Sequence, residues 1–136
     1  MSVMNTAKTY ELEFGDFTKY DRYILGVPHL YANIGIEEAR KINRVIGSTF
    51  KVPYGYIGDR RNPHSVDPRV YLLAHKESPL LNCIAIVVQS DSSREVALLE
   101  KQAADAVKFP FGVFEDVESA IKWTESVLDT ITEKTP

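Results

Sequence analysis

The sequence predicts an α/β fold: a mixed sheet that opens with an antiparallel hairpin and continues as parallel strands alternating with about four helices. Three observations carry this. Two short runs, residues 10–14 and 23–27, read as strands that most simply form an antiparallel hairpin. From Gly35 onward, segments with apolar residues three and four apart alternate with short aromatic or β-branched runs. Residues 81–88 are almost continuously apolar, as expected of a strand covered on both faces. Alternating strands and helices imply right-handed crossovers. The expected order is β-β-α-β-α-β-α-β-α.

Residues 1–8 are small and polar and are expected to be disordered. In residues 10–14, Tyr10, Leu12 and Phe14 alternate with glutamates, and Gly15-Asp16 can turn the chain. Residues 17–22 either extend that strand or form a wide turn. The second strand ends at Pro28, which has no amide hydrogen for a ladder. Ile36, Ala39, Ile42, Ile46 and Phe50 draw one apolar stripe for the first helix, with Glu37 and Glu38 favourably placed in its first turn. Residues 54–57 read as the next strand. A polar turn follows, then a helix over 67–76, which Asp67 and Pro68 are suited to start. After the apolar strand, Ser92 or Ser93 is expected to cap a helix buried along Val96, Leu99, Ala103 and Ala106 or Val107. Residues 109–114 form a short strand. Asp116 is expected to cap a last helix with a stripe through Val117, Ala120 or Ile121, Thr124, Leu128 and Ile131. A single domain over 9–132 with a frayed tail over 133–136 follows.

At 136 residues, with 44% hydrophobic and 26% charged residues, the chain can bury one core without disulfides or metal. The net charge of −3 supplies no global drive toward nucleic acid or an anionic membrane. Cys83 is the single cysteine, which excludes an intrachain disulfide and a cysteine-rich zinc site. Within its apolar run it reads as a small core hydrophobe. The start lacks the apolar segment of a signal peptide, and no run reaches the length of a membrane helix, so a cytoplasmic protein without membrane insertion is expected.

Over this element order, and on two local stretches, the chain resembles the STAS superfamily, specifically the SpoIIAA-like proteins, small stand-alone domains of bacteria. Tyr54-Gly55-Tyr56-Ile57, with its loop and helix, stands where STAS domains carry their central strand and regulatory turn. Val113-Phe114-Glu115-Asp116-Val117-Glu118-Ser119-Ala120-Ile121-Lys122-Trp123 is similar to the closing strand and helix of SpoIIAA-like proteins. The resemblance implies one of two activities. Anti-sigma-factor antagonists dock a partner kinase through the turn before the second helix and are phosphorylated on a serine there. Other members are similar to the CRAL-TRIO lipid-transfer fold and are associated with apolar ligands. The antagonists' Asp-Ser-Ser-Gly turn is absent, which leaves Ser65 as the hydroxyl residue able to accept phosphate.

Candidate sites cluster around residues 54–68. Arg60, Arg61 and His64, with the amides that open the next helix, can form an anion pocket beside Ser65 and Asp67. Ser65 and Asp67 are also helix-capping types, and an arginine can simply pair with Asp59 or Asp67. Tyr54, Tyr56, Tyr31 and Tyr71, with His29, can line an apolar cleft beyond the strand ends, or serve as core with their hydroxyls at the rim. Ser65, His64 and Asp67 are too close in sequence to form a nucleophile–base–orienter relay, which draws on separate elements. The three histidines lack metal-ligand spacing, so no metal and no cofactor is expected. The sequence thus predicts a non-enzymatic binding or regulatory module engaging a protein or anionic partner through the loop before the second helix. The alternative is a carrier or sensor of a small apolar or lipid-like ligand. An exposed edge strand at the hairpin leaves room for a homodimer.

Overall fold

The computed structural model describes residues 7–134, apart from the side chains of 75 and 132–134. Among them the chain forms eight strands and four α-helices. These are β1 (Lys8–Leu12), β2 (Gly15–Lys19), β3 (Tyr23–Pro28), β4 (Asn33–Ile34), α1 (Ile36–Val45), β5 (Tyr54–Asp59), β6 (Ser65–Val66), α2 (Arg69–Glu77), β7 (Leu81–Val87), α3 (Asp91–Ala106), β8 (Phe111–Phe114) and α4 (Val117–Lys134). The main sheet has the order β1-β2-β3-β5-β7-β8, antiparallel through the first three strands and parallel from β3 onward.

The mixed α/β architecture with an antiparallel start is as the sequence predicts, with one more strand in the main sheet and a separate two-stranded pair, β4 and β6. Residues 15–19 pair with both neighbours, so the hairpin is a three-stranded meander. Phe17 anchors the added strand as a fully buried side chain beneath Ile24 and Tyr54. The chain turns at Glu13-Phe14 rather than at Gly15-Asp16, and Gly15 already faces Pro28 across the ladder. Most of the expected N-terminal disorder falls on residues outside the described ones, but Lys8 is already in β1. Residues 133 and 134 continue α4, and 135–136 lie outside the described residues.

Strand alternation divides the core. Tyr54, Tyr56, Ile84 and Ile86 project toward α1, α2 and α3, where Tyr54 packs with Ile24, Ile46 and Phe50 and the others with Val70, Tyr71, Ala97 and Ala104. Ile57, Ala85 and Val87 project to the opposite face and pack under α4 against Ala120 and Val117. The α4 stripe is the expected one, with Ala120, Thr124 and Leu128 buried. Asp116 accepts from the Ser119 amide at 2.7 Å and caps the helix. Gly55 permits this close packing, because a Cβ there would stand 2.6 Å from Thr124 Cγ2.

Helix α3 departs from expectation. Val96 and Leu99 are 51% and 65% exposed, and the buried face is instead Ala97, Glu100 and Ala104. Small side chains let the helix lie close to the sheet, and the remaining position holds a carboxylate with a buried partner. Its cap is Ser90, whose hydroxyl accepts from the Ser93 amide, rather than Ser92 or Ser93. Among the described residues no helix is long and apolar enough to cross a membrane.

Candidate functional site

The loop between β5 and α2 is held to the segment before α1. Strands β4 and β6 pair in parallel, Asn33 with Ser65 and Ile34 with Val66. The Tyr31 amide donates to the Pro63 carbonyl at 2.6 Å, and the Asn62 side-chain amide donates to the Pro28 carbonyl at 3.0 Å. This stitching closes one end of a cavity of about 120 Å3 between the sheet and helices α1 and α2. Its wall is mainly apolar, with Ile24, Ile42, Val66, Val70, Ala74 and Ile86 among the lining residues. Arg60, His64 and Tyr71 bring polar groups to it, as does the Arg40–Glu77 ion pair.

Arg60 follows directly on β5, and its amide donates to the Val87 carbonyl at 3.0 Å, which fixes the backbone to the sheet. Its side chain is only 9% exposed. Nη2 donates to the Tyr71 hydroxyl at 3.2 Å and lies 2.6 Å from Glu100 Oε1. The contact is an ion pair of close charges, and Arg60 and the Tyr71 hydroxyl both favour the charged carboxylate. Nε and Nη1 of Arg60 donate to no described residue. Burial pushes the Glu100 carboxyl upward, opposed by attraction to Arg60. Burial likewise raises the phenols of Tyr56 and Tyr71, and that of Tyr54 to about 12. All three are therefore neutral hydrogen-bonding groups at neutral pH.

His64 is half-buried, and burial, with the nearby Arg60 charge, lowers its pKa against an opposing hydrogen bond from its ring to the backbone. Its Nδ1 lies 2.7 Å from the Asn62 carbonyl oxygen. A carbonyl can only accept, so Nδ1 carries the proton and the neutral ring presents Nε2 as an acceptor.

The residues expected to form an anion pocket do not converge on one. Arg60 is turned inward to Glu100. Arg61 is 58% exposed on its side chain and forks onto the buried Asp59 at 3.1 and 2.6 Å. Asp67 accepts from the Arg69 amide at 2.9 Å and pairs with the Arg69 guanidinium. Ser65 lies in β6, ahead of the Pro68 cap position, and donates to Asn33 Oδ1 at 2.6 Å, so it does not cap α2. Of the expected cleft tyrosines, Tyr54, Tyr56 and Tyr71 line the cavity. Tyr31 does not: it is 77% exposed, in a left-handed turn at φ 64°. His29 stands 3.6 Å from Asp16 on the surface. Glu100 was missed from sequence, where only its two flanking alanines, Ala97 and Ala104, distinguish it from a solvated glutamate.

Among the described residues no group of three or more histidine, cysteine, aspartate or glutamate side chains is placed to hold a metal ion. No family model matches the sequence, and no curated protein matches it. Among solved structures, the chain is similar to an uncharacterised protein of the DUF3478 family from Shewanella loihica PV-4, described as having a SpoIIAA-like fold. The two superpose with a TM-score of 0.53 at 13% sequence identity, over 91% of this chain and 98% of the other. The chain therefore has a SpoIIAA-like fold.

Proposed function

We propose that this protein is a non-catalytic binding module for a small, largely apolar molecule held between the sheet and helices α1 and α2. The observation that carries this is the apolar cavity with Arg60, His64 and Tyr71 on its wall. Its size bounds the buried part of a ligand. An engineered apolar cavity of about 150 Å3 takes benzene, so the 120 Å3 here fits a body of one six-membered ring rather than a long acyl chain. A docking role for the loop over residues 58–67 has less support. Its best-exposed cation, Arg61, is already engaged by Asp59, and exposed pairs of this kind contribute only about 0–1 kcal/mol.

The test is titration of the purified protein with toluene, followed by calorimetry and native mass spectrometry. A ligand of about seven heavy atoms should bind with a Kd on the order of millimolar. Ala74→Leu, which places three extra carbons into the cavity wall, should abolish binding. No saturable binding by the wild type, or equal binding by the variant, would contradict the proposal.

A further inference from the structure

Two arginines line the cavity, and each is already paired with a carboxylate of the protein, Arg40 with Glu77 and Arg60 with Glu100. Arg60 lines the space, whereas Glu100, which is not among the lining residues, stands behind it at 2.6 Å. Both side chains are at least nine-tenths buried. The Arg60 Nε and Nη1 groups remain without acceptors among the described residues. His64, with Nδ1 committed to Asn62, offers an acceptor on the same wall. An unpaired arginine in an apolar pocket would select carboxylates. Here the carboxylate is already supplied by the protein, and a second anion would be buried beside Glu100 against like-charge repulsion.

We infer that the cavity takes uncharged hydroxyl-bearing ligands, of the benzyl alcohol type, and that Glu100 is the residue that rejects the corresponding carboxylates. A hydroxyl accepts from an Arg60 N–H and donates to His64 Nε2, so both groups find a partner without adding charge. Glu100 touches no ligand in this arrangement. It is a specificity-determining residue that acts through Arg60.

This inference rests on the cavity being a ligand site, and the experiment separates the two. Toluene, benzyl alcohol and benzoate share one ring and differ in their polar group. Each is titrated at pH 7.5 into wild-type protein and into Glu100→Gln, whose folding is checked by circular dichroism. The wild type should bind benzyl alcohol more than roughly tenfold tighter than benzoate, the scale of one unfavourable buried charge contact. Glu100→Gln should raise benzoate affinity at least roughly tenfold while leaving toluene nearly unchanged, because only the charge behind Arg60 is removed. Binding of toluene with benzoate equal to or tighter than benzyl alcohol in the wild type would overturn the inference and leave the cavity reading standing. An unchanged ratio in the variant would do the same. Failure of all three probes to bind the wild type would overturn both. The wild-type ratio requires no variant, so a Glu100→Gln protein that failed to fold would leave the inference open to refutation.

Discussion

Arg60, at the end of β5, and Glu100, in the middle of α3, approach to 2.6 Å with their side chains 9% and 5% exposed. This pair fastens α3 to the end of the sheet and neutralises the Arg60 charge on the cavity wall. Removing one partner leaves the other buried and unpaired, which costs about 3–5 kcal/mol. Glu100→Leu alone should therefore lower stability by that amount in urea denaturation. The double variant Arg60→Met/Glu100→Leu should recover most of the loss, because apolar side chains of similar volume carry no desolvation cost.

The same carboxylate gives a pH signature. Burial raises its pKa, so the folded state holds the Glu100 proton more tightly than the unfolded chain does. That contribution is fully present below the ordinary glutamate value and is lost as pH rises through the folded value. The difference in stability between wild type and Glu100→Gln should fall across that window and level off above it. Denaturation curves taken in steps of pH measure it, and a difference independent of pH would contradict it.

Cys83 is fully buried, and burial pushes its thiol up to about 12. The thiolate is the form that attacks such reagents, and the raised pKa makes it scarce in the folded protein at pH 8. Labelling by a disulfide reagent should be slow in buffer and fast in urea. Prompt labelling of the native protein would mean that β7 is open to solvent.

At Gly55, a Cβ would lie 2.6 Å from Thr124 Cγ2 and 2.9 Å from Cys83 Sγ. Gly55→Ala must push α4 off the sheet, at a cost of about 1–3 kcal/mol in thermal or chemical denaturation. An unchanged midpoint would show that α4 is less closely seated than these distances require.

The sequence was legible where burial follows a local period. The α4 stripe through Ala120, Thr124 and Leu128 and the apolar β7 are both where periodicity places them. It misled where a partner distant in the chain decides. Val96 and Leu99 are more apolar than Ala97 and Ala104, yet α3 turns the alanines and Glu100 inward, because Arg60 waits there and the approach is close. Strand β2 escaped notice because only Phe17 in it is strongly apolar. In the candidate site, Tyr54 and Tyr56 share a face by strand alternation, which sequence can supply. The position of Tyr31 depends on a left-handed turn tied to Pro63, which it cannot.

The most direct measurement is a two-dimensional amide NMR titration of the wild-type protein with benzyl alcohol. A ligand held between the sheet, α1 and α2 should shift the amides of Tyr56, Gly58, Val70 and Ala74 saturably and together. Those of Ala120 and Thr124, on the opposite face, should stay in place. Absence of saturable shifts, or shifts centred on the exposed Val96 and Leu99 of α3, would contradict a ligand site in the cavity.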